Sequence, residues 1–239
     1  MDRKKFIRNG LLGITALAGA TKILESCSKS DNDDSVTDTD SSSGDGTCTV
    51  SPSETKGPFP IKTPSQLVLE NIKSDRVGIA LLINLKIENK NNDCAPLSNV
   101  LVDVWHCDKD GNYSEYGGTQ MQQTDYTSVH FLRGRQTTNT SGEVSFISIY
   151  PGWYQGRAPH VHVEVLTSSG SSLLVTQIAF PETISSDVYS STNYAAHGQA
   201  DTSNTKDNVF ADSLSSELAT ITGNLTDGYT LTKTITVNG

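Results

Sequence analysis

No run in this 239-residue chain approaches the ~18 unbroken apolar residues that a membrane-spanning helix needs, so the body reads as soluble. Positive charge is scarce: 18 Lys and Arg stand against 27 Asp and Glu, a formal net charge of −9. That balance disfavours nucleic acid, which demands clustered cations against phosphate. It also disfavours electrostatic docking on an anionic membrane surface. Helix-period patterning is scarce and no internal repeat is visible. Domains run at roughly 100–200 residues, so the length fits one domain plus extensions.

What charge there is falls into three pieces. Residues 1–26 carry Arg3, Lys4, Lys5, Arg8 and Lys22 against Asp2 and Glu25, a net of +3. A cationic start followed by the apolar Leu11–Ala20 has the proportions of a secretory signal peptide. Leu24-Glu25-Ser26-Cys27 resembles a lipoprotein processing box, with Cys27 as the lipidated first residue, although Glu25 departs from the usual small or apolar residue. Arg3-Lys4 also resembles half of a twin-arginine export signal. Residues 28–47 carry Lys29 against six aspartates, and Val36 is their one apolar side chain. Such a segment buries too little to offset its chain entropy, so 27–47 reads as a disordered acidic tether. The expected product is an exported lipoprotein of the cell envelope, tethered at the outer membrane or cell surface. Residues 48–239 form its folded domain.

Four cysteines are present, and lipid takes Cys27. Cys94 and Cys107 bracket the strand-like Val100–His106; at ~3.3 Å per residue a straight strand holds them too far apart to bridge. In an oxidising compartment this favours a Cys48–Cys94 pair, with Cys48–Cys107 as the second choice.

From Cys48 onward the pattern is of short strands and turns. Ala80–Glu88, Val100–His106, Glu143–Ile149, His160–Leu166, Ser172–Phe180 and Tyr229–Val237 alternate apolar and polar residues or form apolar runs rich in β-branched side chains. Between them lie turn signals such as Asp108-Lys109-Asp110-Gly111, Ser141-Gly142 and Pro151-Gly152. This predicts an all-β sandwich with few short helices, one of them within Ser213–Thr222.

Chemistry concentrates around His160-Val161-His162. Residues i and i+2 of a strand share a face, so both imidazoles point one way while Val161 and Val163 point into the core. Alone, such a pair is more often two polar residues on a solvated face. Here Arg157 lies three residues before His160 and Tyr154 six before it, in a turn, and Tyr113 closes another turn after Val100–His106. A guanidinium so close to a metal-bound pair would repel the cation, an arrangement that makes sense if the bound substrate is anionic. The bland alternative pairs Arg157 with a surface acid such as Glu164.

These residues stand in a longer ordered series. It includes Thr55-Lys56-Gly57-Pro58-Phe59, Val102-Asp103-Val104-Trp105-His106, Asp108–Ser114, Phe131-Leu132-Arg133-Gly134, Tyr150–Tyr154, Gly156–His162 and Thr176–Pro181. The series resembles the intradiol ring-cleavage dioxygenases, non-haem ferric enzymes with a prealbumin-like β-sandwich core, over more than half of the chain. The resemblance implies one Fe(3+) per chain held by Tyr113, Tyr154, His160 and His162. Hard Fe(III) suits anionic phenolate oxygens, and neutral imidazoles complete such a set. The resemblance further implies that Tyr154 leaves the metal and takes a proton from an incoming catechol. Arg157 would stabilise charge developing on the ring, with Gln177 beside it, and Gly57 and Pro58 would line the substrate pocket. The implied reaction joins a catechol-type diol and O2 to give a cis,cis-muconate-type dicarboxylate.

Trp105 and Phe146 read as core. His106 and His130 match no ligand position, Arg133 reads as a structural ion-pair former, and His197 reads as a surface loop residue. Two rivals stay open: a non-catalytic sandwich serving as a stalk or adhesion module, and an iron-binding relative with a different substrate.

Overall fold

The computed structural model describes residues 48–239. The leader, Cys27 and the acidic tether lie outside the described residues.

Nine strands form two sheets: β1 (Ala80–Asn89), β2 (Ala95–Pro96), β3 (Leu101–Trp105), β4 (Arg133–Thr137), β5 (Glu143–Ile149), β6 (His160–Leu166), β7 (Ser172–Ala179), β8 (Thr220–Asn224) and β9 (Gly228–Val237). In the first sheet, β1 pairs with β5 and β2 on one side and, in parallel, with β9 on the other; β8 closes that edge. The second sheet runs β4-β3-β6-β7, all antiparallel. Ile83, Leu85 and Ile87 of β1, Leu231 and Ile235 of β9, Val102 and Val104 of β3, and Val161, Val163 and Val165 of β6 meet in one core. Alternation along each strand puts those side chains on one face, so the two sheets bury them against each other as a sandwich.

Every residue of β6 is buried. Its valines face the sandwich core, while His160, His162 and Glu164 are covered on the opposite face. The cover is the segment around residues 54–59. Glu54 N donates to Val175 O at 2.8 Å, Thr55 O accepts from Gln177 Nε2 at 2.8 Å, and Lys56 pairs with Glu164 at 2.7 Å. This strap lies just past Cys48, which forms a disulfide with Cys94 at the far end of β1. Replacing both cysteines with serine is expected to cost ~2–5 kcal/mol, read as a lower denaturant midpoint. An unchanged midpoint would show that the strap is held without the bond.

One expectation needs correction, and two elements carry no sequence signal of their own. Within Ser213–Thr222 only Leu214–Glu217 (α2) is helical; the β-branched Thr220-Ile221-Thr222 joins β8, where pairing to β9 outweighs a short helix. The larger helix is α1 (Glu182–Ser190), which opens directly after Pro181 and buries Val188 and Tyr189. Strand β4 carries no apolar alternation, because it buries Arg133 and Gly134 instead.

Candidate active site

The register of the second sheet builds the site floor. Trp105 on β3 stands opposite His162 on β6, and His162 stands opposite Gln177 on β7. Opposed residues of a sheet project on one face, so these three form a row across it. The indole of Trp105 lies flat on the His162 imidazole, with ring centroids 4.9 Å apart and planes 1° apart. Trp105 is therefore buried as expected, but as a wall of the site rather than part of the sandwich core. From the other side the backbone of Gly57 closes on the same imidazole. A Cβ there would lie 2.9 Å from His162 Cε1, and φ is +67°. Glycine meets both requirements at once. Pro58, next along the strap, is exposed.

Two turns bring the tyrosines in. Asp108 Oδ1 accepts from Asp110 N at 3.0 Å and Asn112 N at 2.9 Å, which folds the turn before Tyr113. Gly152 N donates to Asp108 O at 3.0 Å. A Cβ on Gly111 would lie 2.2 Å from Trp153 O, and one on Gly152 2.5 Å from Asp108 O. Two glycines thus allow the turns to dock backbone to backbone and place the Tyr113 and Tyr154 rings 5.8 Å apart. Gln122 holds the Tyr113 peptide from both sides: its Oε1 accepts from Tyr113 N and its Nε2 donates to Tyr113 O, each at 2.7 Å. Phe59 stacks on the Tyr113 ring at 4.7 Å.

The polar tips converge. His160 Nε2 is 3.1 Å from His162 Nε2 and 3.3 Å from the Tyr113 hydroxyl. The Tyr154 ring lies 5.5 Å from that of His160. His160 Nδ1 donates to Ala158 O at 2.6 Å, which fixes the tautomer and leaves a lone pair on Nε2. Burial holds His160 down to about 3 and His162 well below the ordinary histidine range, so both are neutral at pH 7. Burial also pushes the Tyr113 and Tyr154 phenols upward. A cation among them would reverse that preference, as metals do for bound water.

Arg157 does not pair with Glu164, which is engaged by Lys56. Its Nε donates to both oxygens of the buried Asp207, at 2.9 and 3.1 Å. Nη1 reaches the Tyr154 hydroxyl at 3.3 Å, and Nη2 donates to Gln177 Oε1 at 2.6 Å. Asp207 therefore supplies the negative charge expected beside this guanidinium, and the arrangement does not depend on an anionic ligand.

Among the remaining candidates, His106 Nδ1 donates to Cys107 O and its Nε2 accepts from Ser148, so both nitrogens are spent. His130 pairs with Glu115. Arg133 is fully buried and donates to Ser114 Oγ, Ser114 O and Phe59 O; the Glu115 carboxylate stands farther off, at 3.6 Å. Its work is to hold Phe59 and the Tyr113 loop together. His197 is half-buried and donates to Trp153 O at 2.8 Å, behind the Tyr154 turn. Sequence reasoning missed Asp207 and Gln122. Each lies in a polar loop and finds its partner through space, so no local spacing marks it.

Among the described residues no three His, Cys, Asp or Glu side chains gather as a metal cluster. A metal at this centre would draw on the two imidazoles and the two phenolic oxygens that converge there. Two neutral imidazoles and two phenols without a carboxylate suit a hard, highly charged cation that can draw off the phenolic protons.

The family comparison fits this geometry. The Dioxygenase family model matches residues 59–216. A crystallised intradiol ring-cleavage dioxygenase from Tetranychus urticae is 28% identical, with a TM-score of 0.72 over 80% of this chain and 95% of that one. Chlorocatechol 1,2-dioxygenase from Rhodococcus opacus is 27% identical over 152 residues, 54% of this chain and 55% of the relative. The chain thus spans about half the length of that curated relative. The structure of 3-chlorocatechol 1,2-dioxygenase from Rhodococcus opacus 1CP, at 19% identity and TM-score 0.55 over 79% of this chain and 72% of that one, shares the fold. The fold and the matched residues define a dioxygenase-type β-sandwich class. Within that class, the chain belongs to the intradiol ring-cleavage dioxygenase family.

Proposed function

We propose that this protein cleaves the ring of a catechol-type diol between its two hydroxylated carbons, using O2 and yielding a cis,cis-muconate-type dicarboxylate. The observation that carries the reading is the convergence of Tyr113, Tyr154, His160 and His162 beside Arg157. Both atoms of O2 enter the product, so the reaction balances without an external reductant. Ferric iron held by those four residues would supply Lewis-acid activation of the bound diol toward O2.

The chain's own residues divide the remaining work by their restraint. Tyr113 is fully buried, stacked under Phe59 and clamped by Gln122, so it stays fixed. Tyr154 is only partly buried, and its hydroxyl is held by one long contact from Arg157. It is the tyrosine free to move and, once a bound cation has drawn off its own proton, to accept one as phenolate from an incoming diol. Arg157, oriented by Asp207 and Gln177, offers its Nη1 where negative charge grows on the departing phenolate or the diol. Gly57, packed on the His162 imidazole, and Pro58 beside it would line the edge of the pocket that takes the diol ring.

The test is oxygen uptake with catechol, hydroxyquinol and protocatechuate. Ring-opened dicarboxylate from at least one is expected. Iron-loaded protein that leaves all three untouched would favour the relative with a different substrate. The stalk reading has no use for an Arg157 ion-paired to Asp207 and reaching Tyr154, or for two buried histidines side by side.

We also propose export with a lipid at Cys27. Membrane fractionation should find the parent protein in membranes and a Cys27→Ala variant in the soluble fraction. Retention of that variant in membranes would refute the anchor.

A further inference from the structure

We propose that Asp207 is a positioning residue that sets the aim of both His160 and Arg157; the inference rests on the ferric-site reading above. Asp207 sits in the long connection between α1 and α2, 50 residues from Arg157, and its side chain is fully buried. Three donors make four hydrogen bonds to it. Arg157 Nε reaches both oxygens, Ala158 N donates to Oδ2 at 2.7 Å, and Val209 N donates to Oδ1 at 2.9 Å. The Ala158 peptide is the link. Its N–H is held by Asp207, and the carbonyl of the same residue receives the His160 Nδ1–H at 2.6 Å. One carboxylate thus fixes the residue that selects the His160 tautomer, and it also fixes the plane of the guanidinium that contacts Tyr154.

The turn carrying Asp207 reinforces the arrangement. Phe210 N donates to Asp207 O at 3.1 Å, and the Phe210 ring lies 5.8 Å from the Arg157 guanidinium carbon and 6.4 Å from the His160 ring. A buried carboxylate costs several kcal/mol unless paired and fully hydrogen-bonded. Here that cost is met by the groups that need orienting. Outer hydrogen bonds of this kind hold metal-binding histidines in tautomer and direction.

Three variants test it: Asp207→Asn, Arg157→Lys, and Arg157→Met with Asp207→Asn. The double variant removes both members of the buried pair, so it leaves no unpaired charge if Asp207→Asn alone does not fold. Ferric affinity is read by chelator competition, and the His160 tautomer by nitrogen NMR on iron-free protein. Asp207→Asn is expected to lose ~10–100-fold in ferric affinity, the usual effect of removing such an outer partner. It should also show mixed His160 tautomers and a lower kcat at nearly parental KM. The double variant should share the affinity and tautomer changes. Arg157→Lys should keep both parental, because the carboxylate still holds Ala158. A folded Asp207→Asn or double variant with parental ferric affinity and His160 still protonated only on Nδ1 would overturn the proposal. So would failure of the double variant to fold, which would make Asp207 a general determinant of the fold. If the parent protein takes up no iron, the ferric reading fails. The tautomer measurement on iron-free protein then decides the role of Asp207 alone.

Discussion

Replacing His160 with alanine is expected to abolish ferric binding and, with it, all diol cleavage. His160 is the hub of the constellation: its Nε2 faces both His162 Nε2 and the Tyr113 hydroxyl, and its Nδ1 is spent on Ala158 O. Alanine deletes the lone pair at the centre, and no neighbouring carboxylate can substitute for it. The loss should exceed the ~10–100-fold that follows removal of an outer partner. A second buried imidazole separates this effect from simple destabilisation. His106 is equally enclosed but bonded to Cys107 O and Ser148. His106→Ala should lower the melting temperature and leave iron stoichiometry intact. Full iron loading of His160→Ala would place the metal elsewhere.

Arg157→Lys should keep iron and colour yet lower kcat by ~10²–10³, the range for losing one fixed donor to developing charge. The guanidinium makes three kinds of contact at once, to Asp207, to Tyr154 and to Gln177. A lysine ammonium is a compact point charge without that planar fork. Once paired with Asp207 it leaves Tyr154 and Gln177 unaddressed. Stopped-flow turnover of whichever diol the parent cleaves provides the measurement. Turnover near the parental rate would reduce Arg157 to a partner for Asp207 and no more.

The sandwich was legible wherever burial is one-sided, because alternation then writes the strand into the residue order. β1 and β5 were readable on that ground, and β6 and β7, buried on both faces over much of their length, by their β-branched apolar residues. β4 was not, since Arg133 and Gly134 are buried there for reasons of hydrogen bonding and close approach to Ile72 rather than apolarity. The histidine pair could be read from strand periodicity, and Gln177 joins it through a register that no single strand reveals. Gly111 and Gly152 could be read as turn residues; that they let two tyrosine-bearing turns touch is a property of the fold. Asp207 acts across 50 residues and Gln122 across nine, both from polar loops where composition carries no signal. Arg157 needs no anionic substrate as its counter-charge for the same reason: Asp207 supplies it from 50 residues away.

The account depends most directly on what the four converging side chains hold. Metal analysis of purified protein from iron-replete cells, combined with its visible spectrum, tests this in one preparation. The expected result is one ferric ion per chain with a broad tyrosinate-to-iron charge-transfer band that Tyr113→Phe weakens or shifts. A colourless protein, metal-free or loaded with zinc, that takes up no iron on reconstitution would contradict the account.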